Sequence, residues 1–438
     1  RKARSGVVLD RKARGSVLRL ASATEHRCRS QLTLMRSPMK VLAVIHAPVF
    51  SGPHNTMTVL GNVLKERGVE ITVLLPEEGV IAAERIRQQG VEVITTPMHR
   101  ARTTPDPRVQ WAWLRNLRPE VKQIARIIRD GQFDLVVTHT LPNLHGALAA
   151  RRAGVPVVWE IIDTFPPGWF RRLWMPLVLR LADAVLTTGR KVALAHPGTV
   201  ELGDRWVSYY PAVDMSQFRA VPAIRTAARA ELGIPKDSTV VGNVAAISEM
   251  KGHKWFIRAA AELRKSHPDT TFVILGSTFD DKDEYYRDLW SEAEGLGLRL
   301  GIDLIVRDPK RRVSELAQAF DIFWMTSEPQ SEGIPTVIGE AKALGIPVIA
   351  TDAGSTSEAI TEGISGYMVP PRDPAAIVAA TRRVFDNPAA VPPMRQAARR
   401  EAEEQFAAER CAELHLQAFD VATAHFAKRR LSRNPWVR

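Results

Sequence analysis

The sequence predicts an α/β fold built from two doubly wound, parallel-sheet domains. Short runs rich in Val and Ile alternate with helix-competent segments along most of the chain, as expected for strands buried on both faces. The length of 438 residues exceeds what one hydrophobic core usually organises, and an apolar content of 45% suffices for two cores.

The first half of the chain predicts a Rossmann-like domain. It opens with a buried strand, a loop that contains Ser51 and Gly52, and a helix, which together form a β-loop-α unit. The predicted strands cover residues 40–45, 71–75, 91–95, 133–138, 155–162 and 184–188, and the predicted helices cover residues 56–67, 108–130, 144–152 and 170–181.

The second half repeats this alternation and predicts a second Rossmann-like domain. The predicted strands cover residues 239–246, 271–275, 304–306, 322–325 and 346–351. The predicted helices cover residues 255–265, 312–320, 336–344, 375–385 and 397–427, and a further helix begins at Glu358.

Residues 324–371 carry the densest pattern in the chain. Residues 327–334 are polar and contain a glycine, so they form a loop, and Pro335 can open the helix that follows. The amides of Thr336 and Val337 then have no partner within the helix, and the helix dipole favours an anion in front of them. This stretch therefore predicts an anion-binding site.

Two glutamates flank this site with seven residues between them. Glu332 precedes the helix, and Glu340 lies four residues after Thr336 on the same helix face. A carboxylate can accept two hydrogen bonds in a fixed geometry, which suits it to sugar hydroxyls. Gly354 follows the next strand and permits a close backbone approach. The alternative is an ordinary αβ unit with surface glutamates.

This stretch resembles the retaining glycosyltransferases of the GT-B fold (group 1, or family 4-like), which carry an E-x7-E signature. The resemblance covers residues 39–400 and implies two Rossmann-like domains that face each other across a cleft, with a last helix that crosses back to the first domain. It also implies transfer of a sugar from a nucleotide diphosphate sugar to an acceptor hydroxyl, with retention at the anomeric carbon. The residues that carry it are Ser327, Glu332-Gly333, Glu340-Ala341, Gly345-x-Pro347-Val348, Thr351-Asp352-x-Gly354, Glu358, Gly363-x-x-Gly366 and Pro370.

The resemblance implies a role for each glutamate. In that family the first glutamate contacts the transferred sugar and the second contacts the ribose hydroxyls, which assigns these roles to Glu332 and Glu340. The backbone after the first glutamate holds the diphosphate. The implied donor-binding residues are Gly252, Gly333, Ile334, Thr336, Val337, Glu340 and Gly354.

A basic loop that neutralises the diphosphate is also implied. Lys251 and Gly252 match its second element, and Lys251 counts with Glu332 among the catalytic candidates. The arginine expected a few residues earlier is replaced by Ala245-Ala246-Ile247. A charge-assisted hydrogen bond contributes about 1.5–3 kcal/mol, so its loss could weaken donor binding roughly tenfold or more. Because of this departure, the alternative that the protein is a non-catalytic relative of the family stays open.

The first domain offers further candidates. His139 stands at the C-terminal end of a strand, where open α/β sheets bind ligands. Members of the resembled family often carry a histidine there that approaches the donor sugar, which makes His139 a catalytic candidate. The next strand leads to Asp163, and the loop with Ser51 and Gly52 lies where the family has a glycine-rich loop on the acceptor side. The alternatives are a structural histidine and a plain βα turn.

No metal or cofactor is expected beyond the nucleotide-sugar co-substrate. Asp280, Asp281 and Asp283 would suit Mg²⁺ or Mn²⁺, but a solvated loop is the preferred interpretation because no other ligand clusters there. Cys28 and Cys411 are the only cysteines and form no CxxC pair, which is typical of a reduced cytoplasmic protein and not of a zinc or disulfide scaffold.

The formal net charge of +12 is concentrated at the two ends of the chain. Residues 1–38 hold ten Lys or Arg against two acidic residues, residues 428–438 hold five Lys or Arg, and the remainder carries −1. A near-neutral globular part argues against nucleic-acid binding. We expect residues 1–38 to be upstream translated sequence before a native start at Met35 or Met39, or else a disordered basic arm.

The sequence contains no apolar run long enough to span a bilayer. Aromatic residues lie among arginines at positions 111–118 and 169–174, a combination that suits the headgroup region of an anionic leaflet. Peripheral binding to the inner face of the plasma membrane is therefore a hypothesis. Its alternative is that these rings fill the packing between helices and sheet.

The predicted domains are a leader (1–38), an acceptor-side domain (39–218), a nucleotide-sugar-binding domain (219–395) and a final helix with a basic tail (396–438). The preferred function is a retaining glycosyltransferase in cell-surface polysaccharide or glycolipid synthesis. A non-catalytic partner in a polysaccharide assembly complex and a nucleotide-sugar epimerase are the alternatives.

Overall fold

The fold is described from a computed structural model over residues 37–101, 106–277, 284–329 and 332–432. Two expectations fall on other residues. The basic leader, apart from residues 37 and 38, and the acidic loop at 280–283 lie outside the described part of the chain.

The first domain contains a seven-stranded sheet in which all paired strands are parallel. Its strands are β1 (Met39–Val44), β2 (Val69–Pro76), β3 (Glu92–Thr96), β4 (Leu135–His139), β5 (Val157–Ile161), β6 (Ala184–Thr188) and β7 (Trp206–Tyr209). They are arranged in the order β3-β2-β1-β4-β5-β6-β7. Strands β4, β5 and β6 are buried along their whole length because helices cover both faces of the sheet.

The helices of this domain are α1 (Gly52–Glu66), α2 (Val80–Arg87), α3 (Pro107–Asp130), α4 (Leu144–Ala153), α5 (Gly168–Leu181) and α6 (Arg190–Ala195), with a 3₁₀ helix at Val200–Arg205. Helix α1 begins four residues earlier than predicted because Ser51 caps it. The backbone amide of Ser51 donates to Nδ1 of His54 at 3.2 Å, which closes the first turn. The sequence did not predict the short elements α2, α6 and β7.

The second domain contains a parallel sheet in the order β10-β9-β8-β11-β12-β13. Its strands are β8 (Thr239–Val244), β9 (Thr270–Leu275), β10 (Leu304–Arg307), β11 (Ile322–Met325), β12 (Val348–Thr351) and β13 (Gly366–Val369). Its α-helices are α7 (Pro222–Glu231), α8 (His253–Arg264), α9 (Glu284–Gly295), α10 (Val313–Leu316), α11 (Thr336–Ala343), α12 (Pro374–Phe385) and α13 (Val391–Gln405), followed by α14 (Ala408–Ser432).

Two predicted helices differ from the structure. The helix expected from Glu358 is a single 3₁₀ turn at Thr356–Ala359. The long helix expected at residues 397–427 is interrupted, so that α13 and α14 meet at Phe406 and Ala407. The interruption has a backbone cause, because the carbonyl of Phe406 accepts a hydrogen bond from the amide of Val213 at 2.8 Å, in the connection between the domains.

Helix α14 crosses back to the first domain, as predicted. Its residues Cys411, Ala412 and Phe419 are buried in the same hydrophobic core as strands β1, β2 and β6. Near its end, His425 Nδ1 lies 3.0 Å from the buried Asp183 carboxylate. The chain thus forms two Rossmann-like domains, with the core of the first completed by the last helix.

Candidate active site

The C-terminal ends of the two sheets face a cleft of about 910 Å³, which is within the usual size of a ligand site. Both domains contribute to its walls. The first domain supplies Phe50, Ser51, Gly52, Arg85, Thr140 and Asp163, and the second supplies Ala245, Ala246, Lys251, Lys310, Arg311, Glu332, Gly333, Ile334, Thr336, Val337 and Glu340. Most of the sequence-predicted donor-binding residues are therefore brought together.

Glu332 is buried at the base of the cleft and is held by two donors. Lys251 Nζ donates to its Oε1 atom at 2.6 Å, and Ser327 Oγ donates to the same atom at 2.8 Å. Lys251 reaches this position from a short 3₁₀ turn that ends at Gly252, whose φ is +63°.

Helix α11 begins at the cleft. Pro335 is its N-cap residue, and the amides of Thr336 and Val337 belong to the first turn, where N–H groups have no intrahelical acceptor. Ile334, Thr336 and Val337 all line the cleft. An anion in the cleft would meet the positive end of this helix.

Three of the predicted glycines are required by close packing. A Cβ atom on Gly333 would lie 2.0 Å from the carbonyl oxygen of Ile162 in the first domain. A Cβ on Gly354 would lie 1.8 Å from the carbonyl oxygen of Glu332, and one on Gly252 would lie 2.0 Å from that of Thr326. Gly354 and Gly252 support the walls from behind, since neither lines the cleft itself.

Glu340 lines the cleft from the second turn of α11. Burial raises the pKa of its carboxyl to about 7, and the positive charge of Arg85, across the cleft, opposes this rise. A carboxylate whose pKa is raised by burial in a cleft is a candidate functional group.

Asp163 faces Glu332 from the first domain. It follows β5, is half-buried, and accepts a hydrogen bond from the amide of Phe165 at 3.1 Å. Burial raises the pKa of Asp163 to about 6. The hydrogen bond from Phe165 opposes that shift and the negative charge of Glu332 adds to it, while Arg171 and Lys251 lower the pKa. Two carboxylates from opposite domains thus share one end of the cleft.

The structure does not place His139 in the cleft. His139 is fully buried at the end of β4, with Nδ1 2.9 Å from the Oε2 atom of Glu160 on β5. Burial disfavours the charged carboxylate of Glu160, but His139, His415 and the hydrogen bond from Tyr209 together outweigh this and lower its pKa to about 2. The next residue, Thr140, has a φ of +71° and lines the cleft instead.

The position where an arginine was expected is apolar. Ala245 and Ala246 line the cleft there and carry no charge. The sequence did not point to three other lining cations, Arg85, Lys310 and Arg311. Arg85 lies on the unpredicted helix α2, and no local pattern in the sequence places it near Glu340.

Glu358 also joins the two domains. Its carboxylate accepts hydrogen bonds from the first amides of α6, Arg190 at 2.7 Å and Lys191 at 2.6 Å. Ser355 Oγ accepts from the amide of Val192 at 3.1 Å. Negative charge at the N-terminal end of α6 is favourable because the helix dipole is positive there.

Within the described part of the chain, no group of three or more His, Cys, Asp or Glu side chains could hold a metal ion. None of the described helices has the length and apolar character needed to cross a membrane.

Comparisons with known proteins were made for the whole chain. A family model described as "Glycosyl transferases group 1" matches residues 224–405, and one described as "Glycosyl transferase 4-like domain" matches residues 51–196. These two matches lie in the second and first domains respectively.

Several curated proteins are similar in sequence. The D-inositol 3-phosphate glycosyltransferase 1 of Catenulispora acidiphila is 27% identical over 289 residues, which cover 61% of this chain and 68% of that protein. The D-inositol 3-phosphate glycosyltransferase of Streptomyces avermitilis is 29% identical over 63% of this chain and 62% of that protein. That of Corynebacterium kroppenstedtii is 34% identical over 40% of each chain. The match thus spans between two fifths and two thirds of these relatives.

Solved structures share the fold. Anabaena HepE in complex with UDP superposes with a TM-score of 0.74 at 21% identity, over 87% of this chain and 100% of that chain. Sucrose-phosphate synthase from Thermosynechococcus elongatus superposes with a TM-score of 0.68 at 16% identity, over 87% and 98%. Taken with the two family models, this chain belongs to the group 1 glycosyltransferases and has their GT-B fold.

Proposed function

We propose that this protein transfers a sugar from a nucleotide diphosphate sugar to an acceptor hydroxyl, with retention at the anomeric carbon. The observation that carries the proposal is the Lys251–Glu332 pair, which lies beside the N-terminal end of α11 in a cleft between two domains. A cation, free amides and an oriented carboxylate are the groups that a departing diphosphate and a sugar ring require.

In this scheme the second domain stabilises the leaving group. Lys251 and the amides of Thr336 and Val337 neutralise charge that develops on the diphosphate. Glu332 binds the sugar, and Glu340 accepts hydrogen bonds from the ribose hydroxyls. Closure of the cleft excludes water from an oxocarbenium-like centre. Because the chain supplies these charges itself, we expect transfer to survive chelation of divalent cations by EDTA.

The names of similar proteins suggest substrates to test. Solved structures of HepE contain UDP, and one contains UDP-glucose. The curated relatives are named for D-inositol 3-phosphate. We propose a nucleoside diphosphate sugar as donor and a phosphorylated polyol as the first acceptor to try.

A thermal-shift screen with UDP-, GDP- and ADP-sugars tests the donor. We expect one of them to raise the melting temperature and Lys251→Gln to abolish that rise. NMR of the product then reports the anomeric configuration, and inversion would contradict the retaining mechanism. If no nucleotide sugar binds, the proposal of sugar transfer fails.

A non-catalytic partner in a polysaccharide assembly complex is the second candidate, because Ala245 and Ala246 leave one wall of the cleft without a cation. Donor binding without transfer to any acceptor would favour it. An epimerase would instead convert the donor alone, which chromatography of the nucleotide sugar detects.

We also propose that the first domain binds an anionic membrane surface, as expected of an enzyme that builds cell-surface polysaccharide or glycolipid. Helices α3 and α5 contact each other through Trp113 and Trp174, whose ring centroids lie 6.1 Å apart. Trp113 and Phe170 are buried, so these rings fill the packing. The outward side carries large apolar side chains, between 59% and 68% exposed, among exposed arginines: Trp111, Leu114, Trp169 and Leu173, with Arg108, Arg115, Arg118 and Arg172.

Co-sedimentation with liposomes tests this surface. Each basic residue near an anionic surface contributes about 1 kcal/mol, so binding should be lost in neutral liposomes and in high salt. The variant Trp111→Ala/Trp169→Ala should bind less. The control Ile302→Ala removes an exposed side chain of the second domain and should bind as the wild type does. Equal recovery with anionic and neutral liposomes would contradict the hypothesis.

A further inference from the structure

The charged residues of the cleft leave a donor diphosphate short of positive charge. Its walls carry four cations and four carboxylates: Arg85, Lys251, Lys310 and Arg311 against Asp163, Asp214, Glu332 and Glu340. Lys251 is already paired with Glu332 at 2.6 Å. Ala245 and Ala246 add no charge. A ligand with two or more negative charges therefore needs a cation besides Lys251.

The geometry of Arg85 suits it to bind an anion. It lies in the last turn of α2, and its guanidinium carbon is 3.8 Å from the centre of the Phe50 ring. Stacking uses the flat face of a guanidinium and leaves the N–H groups at its edge for hydrogen bonds. Its Nε atom is buried and has no hydrogen-bond partner among the residues that the structure describes.

The end of α2 reaches the second domain. Gln88, the residue after this helix, accepts a hydrogen bond from Arg311 Nη2 across the cleft. Arg85, Arg311 and Glu340 all line the cleft, and the charges of Arg311 and Glu340 both act on Arg85. Two arginines beside a single carboxylate leave an excess of positive charge, which an anion would offset.

We propose that Arg85 binds the diphosphate of the donor from the first domain and so supplies the cation that residues 245–246 lack. This inference rests on the proposed function. Its consequence is that the donor bridges the two domains: α11 and Lys251 hold the diphosphate from one side, and Arg85 holds it from the other. Donor binding then favours the closed cleft.

Calorimetric titration of the protein tests the inference. UDP, GDP and ADP are titrated into the wild type, and the diphosphate that binds most tightly is used for the variants. The weaker affinity of the corresponding nucleoside is measured by competition with that diphosphate. We expect Arg85→Gln to weaken the diphosphate about tenfold or more, as for the loss of a charge-assisted hydrogen bond. The affinity of the nucleoside should stay within about twofold.

The control is Arg87→Gln on the same helix. Arg87 is exposed and donates to the carbonyl of Val93 at 3.0 Å, so this variant removes the same charge without touching the cleft. Its affinity for the diphosphate should equal that of the wild type. Arg85→Lys keeps the charge but loses the planar fork, and it should fall between wild type and Arg85→Gln.

Three results would overturn the inference. Equal diphosphate affinity in Arg85→Gln and wild type would remove Arg85 from the donor site, while a loss in Lys251→Gln would still support the proposed function. Equal weakening of diphosphate and nucleoside would show that Arg85 acts through Glu340 and not on the phosphates. If the wild type binds no nucleoside diphosphate, the proposed function fails and this inference fails with it.

Discussion

The helix that forms the donor site is anchored by a buried ion pair, and breaking it should destabilise the second domain. Lys342 lies on α11, two residues after Glu340, and is fully buried. Its Nζ donates to the Oε2 atom of Glu401 on α13 and to the carbonyl of Ala359, both at 2.6 Å. The perturbation is Glu401→Ala, which leaves the ammonium group without its counter-ion.

The size of the loss follows from the burial of the lysine. Removing one partner of a buried pair costs about 3–5 kcal/mol, because the remaining charge is desolvated and uncompensated. For a domain of this size each kcal/mol lowers the melting temperature by about 2–4 °C, so we expect a fall of roughly 6–20 °C. The double variant Lys342→Met/Glu401→Leu should recover most of the lost melting temperature, since an apolar pair can replace a buried ion pair.

Calorimetric melting of the protein measures the change in the melting temperature of the second domain. The matched control is Glu403→Ala on the same helix, which breaks an exposed 2.6 Å pair with Arg399. Exposed pairs contribute only about 0–1 kcal/mol, so the control should melt within about 4 °C of the wild type. A fall for Glu401→Ala no larger than that of the control would refute the reasoning.

Three further predictions concern the cleft. Glu340→Ala should raise the donor KM about tenfold or more while the fold survives, because it removes charge-assisted bonds of ~1.5–3 kcal/mol each to the ribose; unchanged kinetics would exclude the ribose role. Gly333→Ala should hold the domains apart, because its Cβ would lie 2.0 Å from the carbonyl of Ile162; small-angle scattering should give a larger radius of gyration with donor present, and a wild-type radius would contradict this. Asp163→Asn should raise the melting temperature at pH 7, because the folded state raises the pKa of this carboxyl to about 6 and so disfavours its charged form. That gain should vanish near pH 4, where the folded wild type already holds the proton, and a gain independent of pH would argue against the shift.

The sequence predicted most of the strands and the helix α11 of the donor half well because both depend on local pattern. Strands β6 and β11 have the predicted bounds, and α11 begins at the predicted Thr336. In such elements a buried apolar run, a proline and a glycine lie within a few residues of one another, so the sequence alone specifies the local fold.

What the sequence could not supply is contact between distant elements. The sequence predicted that His139 lies in the site because its strand ends there. Successive strand residues point to opposite faces, and in the structure the next residue, Thr140, lines the cleft instead. Arg85 lies 255 positions before Glu340 and on a short helix without a strong periodic pattern. Only the packing of one domain against the other brings these two together.

The return of α14 to the first domain sets the order in which the newly made chain can fold. Cys411, Ala412 and Phe419 are part of the core beneath β1 and β2, so that core stays open on one side while residues 39–400 leave the ribosome. The second domain needs no residue of α14 for its sheet. Although the amino-terminal domain of a growing chain usually folds first, here we expect the second domain to be native while the first still awaits its last helix. A stalled or truncated chain would therefore expose apolar surface on the domain that was made first. We expect chaperones to bind this surface during synthesis.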